Sequence, residues 1–342
     1  MSGYPRTAVE LRDWFATEEA CRNYLVQLRW PEGVRCPDCG ATEVWSMTVP
    51  FYRCADCGYD FTVTAGTLFA DTHKPLRLWF EAIWYITSQK SGASALGVQR
   101  VLGLGSYRTA WNWMHKLRRA MVRRDRDRLG GMVEVDEIFL GGPQSGKRGR
   151  GAAGKTLVVI AAQANGRKIG RIRLARVADA SAASLEPVVQ QTIEPGTRVQ
   201  TDAWRGYSGL RTLGYDHEII RQTVELGDNL LPRANRIAAL LKRWLLGTHQ
   251  GAVRSKHLDY YLDEFTFRFN RRTSGSRGLL FFRLLQQAVA LPPVKSKDLV
   301  GGRLLTKPKP QPMVVRGIMC IPLLKNCRRT SNRSHPIGDV ST

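Results

Sequence analysis

The sequence lacks the features of a membrane-embedded or secreted protein. It contains no run of about 18 apolar residues, which a helix needs in order to cross a bilayer. Its N-terminus, Met1–Pro5, does not lead into the apolar segment of a secretory signal. We therefore expect a cytoplasmic protein that makes no use of a membrane.

Acidic residues are scarce relative to basic ones. The 342 residues include 52 Lys and Arg against 29 Asp and Glu, which gives a formal net charge of +23. A surplus of this size predicts a polyanionic partner, and nucleic acid fits better than a membrane surface because no basic amphipathic helix stands alone. The length is sufficient for two or three domains with a sizeable core.

Cysteine is infrequent, and four of the seven cysteines have the spacing of zinc ligands. Cys36 and Cys39 form one CxxC pair, Cys54 and Cys57 form another, and fourteen residues separate the pairs. A glycine follows each pair and permits the tight turn of a zinc knuckle. The pattern predicts a zinc ribbon with four thiolate ligands in a reducing compartment. Such a ribbon can contact DNA or can serve only to hold a small domain together.

The other three cysteines do not have this spacing. Cys21 lies on the apolar face of a helical pattern and is predicted to be a core thiol. Cys320 and Cys327 lie near the C-terminus, where residues 303–342 contain eight Lys and Arg, one acidic residue and five prolines. This composition predicts a disordered basic tail.

A helix-turn-helix pattern follows the ribbon. Two helical segments, Ala93–Leu102 and Tyr107–Val122, are joined by a short glycine-containing turn. The second helix and the residues after it are rich in cations, and on so basic a chain we predict that they contact DNA. The candidate DNA-binding residues here are Arg108, Lys116, Arg118, Arg119, Arg123 and Arg124.

The stretch Val133–Leu140 alternates as a β-strand. Its period of two places Glu134 and Asp136 on one face of the strand. A carboxylate on a largely buried strand needs a compensating cation, either an arginine or a metal ion. A second predicted strand ends at Asp202, and two carboxylates at strand ends favour a divalent metal site.

A glycine-rich basic loop lies between this strand and the next one. Residues 149–156 match the phosphate-loop pattern GxxxxGK[ST], but a strand signal follows instead of the helix that phosphate binding requires. We therefore predict no nucleotide site and interpret Lys147, Arg148, Arg150 and Lys155 as contacts to a nucleic-acid backbone. Counted from the strand before the loop, the elements follow the order β-β-β-α-β-α-β-α, which predicts an α/β ribonuclease-H-like fold with a mixed sheet.

Taken together, these motifs resemble those of bacterial insertion-sequence transposases with an N-terminal zinc ribbon and a DDE-type catalytic domain. The resemblance covers about Cys36 to Val289. It rests on both CxxC pairs, Phe61–Thr67, Val133–Glu137, Thr201–Tyr207, His257–Phe265 and Phe267–Arg272. The implied domains are N-terminal helices over 1–30, a zinc ribbon over 31–68, a helical DNA-binding region over 75–128, a ribonuclease-H-like catalytic domain over 131–292 and a basic tail over 295–342.

The resemblance also implies the catalytic residues. Asp136 and Asp202 correspond to the first two metal ligands, and Asn235 occupies the third position, seven residues before Lys242 on one helix face. Asn235 can offer a carbonyl oxygen but no charge. Glu264 is the alternative third ligand, unless it is paired with an arginine.

The implied reaction is DNA strand cleavage and strand transfer at the ends of an insertion sequence. Two Mg²⁺ or Mn²⁺ ions would support it, the partner would be double-stranded DNA, and the protein would act as a homo-oligomer. Two alternatives remain open. A decayed transposase would only bind DNA, and a nuclease of the same fold would cut DNA without joining it.

Overall fold

The computed structural model describes residues 3–123, 125–141, 155–222 and 229–301. In chain order the helices and strands are α1 (Ala8–Trp14), α2 (Glu18–Arg29), β1 (Val44–Ser46), β2 (Phe51–Cys54), β3 (Asp60–Thr62), α3 (Leu76–Ser88), α4 (Ala95–Val101), α5 (Tyr107–Ala120), β4 (Met132–Leu140), β5 (Thr156–Asn165), β6 (Lys168–Val177), α6 (Ala182–Thr192), β7 (Arg198–Thr201), β8 (Asp216–Ile219), α7 (Pro232–His249), α8 (Leu258–Asn270), α9 (Arg277–Ala290) and α10 (Ser296–Gly301). Short 3-10 helices cover Arg205–Leu210 and Ser255–His257.

The ribbon is a small antiparallel sheet in the order β1-β2-β3. Tyr52 pairs with Ser46 on one side and with Phe61 on the other. Phe61 is buried, and its ring stacks on Tyr52 at 5.6 Å. So small a sheet buries little apolar surface, and a metal is therefore expected to contribute to its stability.

The helices α1 to α5 share one apolar core with α9. Phe80 of α3 is fully buried there and contacts the rings of Phe15 and Phe281. Cys21 is fully buried in the same core, which confirms the predicted core thiol, and burial raises the pKa of this thiol to about 12. The helix α9 follows the sheet in sequence but packs with α2, α3 and α5, apart from the sheet.

The helix-turn-helix pattern is present as α4 and α5. The Ser94 hydroxyl accepts a hydrogen bond from the N–H of Gly97 at 3.0 Å and caps α4. The chain then turns through Gly103, whose φ of +61° lies in the left-handed region, before α5 begins at Tyr107. The start of α5 is exposed, whereas the rest of the helix packs against α4, α8, α9 and α10.

In the described part of the chain the larger sheet has five strands in the order β6-β5-β4-β7-β8. β4 pairs antiparallel with β5 and parallel with β7, and β7 pairs parallel with β8, so the sheet is mixed. One face packs on α7 and α8, and the other packs on α6. A sheet of this order with helices on both faces confirms the predicted ribonuclease-H-like α/β fold.

Two further predictions concern the turn between β5 and β6 and the C-terminal tail. β5 and β6 form the predicted hairpin, in which Asn165 pairs with Lys168 and Gly166 has a φ of +56°. The prediction of a disordered tail from residue 295 onward is wrong for 296–301, because these residues form α10 and bury Leu299 against Tyr260. Residues 302–342 lie outside the described residues.

Candidate functional site

The two predicted metal-binding aspartates lie near the ends of two neighbouring parallel strands, Asp136 within β4 and Asp202 just after β7. Met132 of β4 pairs with Arg198 of β7, and Glu134 pairs with Gln200. Asp136 lies two residues further along β4, and Asp202 directly follows β7, which ends at Thr201. Residues paired in a parallel sheet share a face, and adjacent strands lie about 4.8 Å apart. The fold therefore brings together two carboxylates that are 66 residues apart in sequence.

The surroundings of both carboxylates are polar and partly enclosed. Asp136 is half-buried and accepts a hydrogen bond from the N–H of Glu137 at 2.8 Å. Asp202 is half-buried as well and accepts one from the N–H of Trp204 at 3.0 Å. These bonds orient the two carboxylates.

A buried tyrosine, Tyr207, lies beside the acidic residues at this edge of the sheet. The Tyr207 hydroxyl donates to Glu137 at 2.8 Å. Burial, then Glu137, then Asp136 and Asp202, raise the pKa of Tyr207 well above its ordinary value. The motif Thr201–Tyr207 contributed to the family resemblance, but the pairing of Tyr207 with Glu137 was not predicted from the sequence.

The proposed third position lies on α7. Asn235 is exposed, and its Nδ2 donates to Oδ1 of Asn229 at 2.9 Å, so its amide oxygen takes no part in that bond. Lys242 is exposed two helical turns further along α7. At a rise of 1.5 Å per residue the two lie about 10 Å apart along the helix axis, on the same side.

The other acidic residue on this face of β4 has an arginine partner. Glu134 is 1% exposed. Its Oε1 lies 2.7 Å from Nη1 of Arg233. The alternative that an acid of this strand pairs with an arginine is therefore correct for Glu134.

The alternative third ligand, Glu264, does not belong to the site. It is fully buried on α8, and each of its oxygens accepts from a guanidinium at 2.8 Å, one from Arg118 and one from Arg268. Burial alone would raise the pKa of Glu264, but these two arginines lower it to about 2. The paired-glutamate alternative is thus correct, and the metal-ligand alternative is wrong.

The same ion pair overturns one predicted DNA contact. Arg118 is 2% exposed, and its guanidinium also lies over the Tyr261 ring at 4.0 Å, so it cannot contact DNA in this arrangement. Arg108 and Arg123 are exposed, while Lys116 and Arg119 are half-buried.

The remaining predicted contacts lie in or beside undescribed segments. The residues outside the described part of the chain are Arg124, Lys147, Arg148 and Arg150. Lys155 is half-buried just before β5, and this strand begins at Thr156, where a phosphate loop would begin a helix.

The four predicted zinc ligands converge on one point. Sγ of Cys36 lies 3.7 Å from Sγ of Cys57, and Sγ of Cys39 lies 3.5 Å from Sγ of Cys54. A tetrahedral zinc with Zn–S bonds of 2.3 Å has sulfur atoms about 3.8 Å apart, so the cluster fits zinc. Among the described residues, these cysteines are the one group of at least three His, Cys, Asp and Glu ligand atoms that lie within 4.8 Å of one another.

Comparison with known proteins agrees with this arrangement of a ribbon followed by a ribonuclease-H-like sheet. Residues 128–270 match the ISXO2-like transposase domain, and residues 16–60 match the transposase zinc-ribbon domain. The chain therefore carries the zinc ribbon and the transposase domain of insertion-sequence transposases, which confirms the resemblance found in the sequence.

A relative of this chain comes from a mobile element. The chain is similar to an uncharacterized protein in transposable element ISH50 of Halobacterium salinarum, with 26% identity over 278 residues. The alignment covers 74% of this chain and 91% of the relative. In the part of the chain that the structure describes, no helix is long and apolar enough to cross a membrane.

Proposed function

We propose that this protein is an active transposase that cleaves DNA at the ends of an insertion sequence and joins the ends to target DNA. The observation that supports the proposal is the parallel pairing of β4 with β7, because Asp136 lies two residues beyond the paired Glu134 and Asp202 directly follows the end of β7. The ISXO2-like transposase domain that spans both strands supports it.

The metal-binding residues in this proposal are two charged oxygen donors and one neutral donor. Asp136 and Asp202 hold the divalent cations, and the Asn235 amide oxygen completes the set from α7. Hard cations such as Mg²⁺ prefer oxygen ligands of this kind. When bound, Mg²⁺ or Mn²⁺ supplies a Lewis acid that activates a water or a 3′-hydroxyl for attack on the phosphate and stabilises the leaving oxygen.

The protein's own contribution is to position DNA beside these carboxylates. Lys242, two turns along α7, neutralises a phosphate of the bound strand. Arg108 at the exposed start of α5 and Arg123 after its end contact the backbone further away. In cleavage the oxygen of a water bonds to phosphorus as a phosphoester bond breaks and leaves a 3′-hydroxyl. In joining that 3′-hydroxyl forms a new phosphoester bond as one in the target breaks, so the reaction needs neither a nucleotide nor a covalent protein–DNA intermediate.

The test is strand transfer on oligonucleotides that carry the DNA flanking this gene, titrated with Mg²⁺ and Mn²⁺. Asp136→Asn and Asp202→Asn should each lower cleavage and joining by several orders of magnitude, because the metal ligand and its charge are lost together. Affinity for the same oligonucleotides should persist, since the cations on α5 are untouched. Asp216→Asn, the same change on exposed β8, is the matched control and should keep full activity.

Substitution of Asn235 tests whether this residue is a neutral metal ligand or takes no part in metal binding. Asn235→Ala should cost less activity than either aspartate change, and a higher Mn²⁺ concentration should restore part of it.

Wild-type joining activity in the Asp202→Asn variant would refute the proposed metal site. A wild-type protein that binds the ends but cleaves nothing at any metal concentration would instead be a DNA-binding protein of transposase descent, and cleavage without joining would indicate a nuclease.

A further inference from the structure

A buried carboxylate connects the strand of Asp136 to the helix of Asn235. Glu134 is 1% exposed and receives three hydrogen bonds from two residues of α7. Its Oε2 accepts from the backbone N–H of Arg233 at 2.6 Å and of Ala234 at 2.9 Å. Its Oε1 accepts from Nη1 of Arg233 at 2.7 Å.

These bonds satisfy backbone N–H groups at the start of α7, where no side chain of the preceding residue caps the helix. Leu231 precedes α7 and offers no side-chain acceptor, and Pro232 occupies the first helical position. The free N–H groups and the positive end of the helix dipole favour a negative charge at this point. Glu134 supplies that charge from β4, 98 residues before Pro232 in sequence. Bonds between a carboxylate and charged or backbone donors are among the stronger hydrogen bonds in proteins.

The position of the contact relates it to the proposed metal site. Glu134 lies two residues before Asp136 on the same face of β4, and Ala234 directly precedes Asn235. Any shift of the start of α7 relative to β4 therefore changes the separation of Asp136 and Asn235. The guanidinium of Arg233 also donates to the carbonyl of Gly166 at 3.1 Å, which joins the β5–β6 turn to the same contact.

We propose that Glu134 is a positioning residue for the metal site, which holds the start of α7 against β4 so that Asn235 faces the two aspartates. The proposal rests on the proposed function, because it takes Asn235 to be the third donor. Glu134 itself binds no metal, since its oxygens are occupied by α7. Its removal should weaken metal binding as the loss of a residue that supports a ligand does, by about 10-fold to 100-fold.

The experiment measures Mn²⁺ binding directly, on the full-length zinc-loaded protein without DNA, from the electron paramagnetic resonance signal of free Mn²⁺. Glu134→Gln keeps the size of the side chain and one acceptor but removes the charge, and it places an amide against Arg233. Its Mn²⁺ dissociation constant should rise by about 10-fold to 100-fold, with unchanged zinc content and circular dichroism. Glu194→Gln, the same change at an exposed position after α6, should match wild type.

A second variant keeps the proposal testable if Glu134→Gln does not fold. Arg233→Lys leaves Glu134 bonded to both backbone N–H groups and removes the bond to Gly166, so a smaller rise in the dissociation constant is expected. Dissociation constants within twofold of wild type in every folded variant would overturn the proposal and reduce Glu134 to a structural cap. If wild type binds no more Mn²⁺ than the double variant Asp136→Asn/Asp202→Asn, the proposed metal site is itself absent, and this inference falls with it.

Discussion

The buried carboxylate Glu264 offers the sharpest test of how this fold is held together. It joins α8 to α5 through Arg118 and reaches the carbonyls at the end of α3 through Arg268, whose guanidinium donates to Ile86 and Gln89. The side chains of Glu264, Arg118 and Arg268 are 0%, 3% and 13% exposed. Glu264→Gln would keep the shape of the side chain and leave two buried guanidinium groups without their counter-ion.

The magnitude follows from the burial. Removing one partner of a buried ion pair costs about 3–5 kcal/mol because an uncompensated charge stays behind. A typical domain has about 5–15 kcal/mol of unfolding free energy, so the variant should lose about a fifth of its stability or more. Asp216→Asn is the control, because its partner Arg198 is an exposed side chain and the pair is screened by solvent. We expect the control to unfold at the same urea concentration as wild type.

The assay is urea unfolding followed by tryptophan fluorescence, with circular dichroism as a second probe. The double variant Glu264→Gln/Arg118→Met removes one of the two stranded cations and should be less destabilised than the sum of the single variants. A wild-type urea midpoint for Glu264→Gln would refute the reasoning. If that variant also lost metal-dependent strand transfer while it bound DNA normally, Glu264 would have to be assigned to the site after all.

Two further predictions concern zinc and pH. Cys36→Ser should lower the zinc content below one ion per chain and unfold the ribbon, as judged by metal analysis and by proteolysis within β1 to β3. The control Cys21→Ala should keep the full zinc content, because Cys21 is a buried core residue. Equal zinc contents in both variants would contradict the assignment of Cys36 as a zinc ligand. Burial, then Arg118, lowers the pKa of His249 from 6.5 to about 4. The folded protein therefore favours the neutral ring, and the stability this ring contributes is complete above about pH 6.5 and is lost as the pH falls to about 4, by roughly 3 kcal/mol. Urea midpoints between pH 7.5 and 4 should fall, and a fall equally steep in His249→Gln would show that another group is responsible.

The zinc ribbon could be predicted from sequence because its chemistry is local. Two CxxC pairs bend the chain into two knuckles wherever they occur, and Gly40 and Gly58 adopt the positive φ values of +81° and +68° that these turns need. The alternation of β4, the hairpin at Gly166 and the helix-turn-helix pattern were predictable for the same reason. In each case the pattern of apolar residues and turn residues acts within one segment of chain.

The candidate site was only partly predictable. Asp136 and Asp202 could be selected from the family resemblance and from their places at strand ends, but that the two strands are neighbours depends on the parallel pairing of β4 with β7. The sequence placed Glu134 on the face of Asp136 without distinguishing a ligand from an arginine partner. That difference depends on where α7 begins in space, which a strand 98 residues earlier cannot encode locally.

The sequence by itself determined the ligands of the ribbon, the type of most elements and the class of protein. The ligands and the elements follow from spacing and periodicity, which are properties of a continuous stretch of chain, and the class of protein follows from the resemblance of the motifs to a known family. Only the tertiary structure decided which charged side chains face solvent. Arg108 and Arg118 look alike on α5, yet Arg108 is exposed and Arg118 is buried against Glu264, 146 residues away. A buried charge is stable only where a partner meets it, and the fold alone determines which distant residues meet.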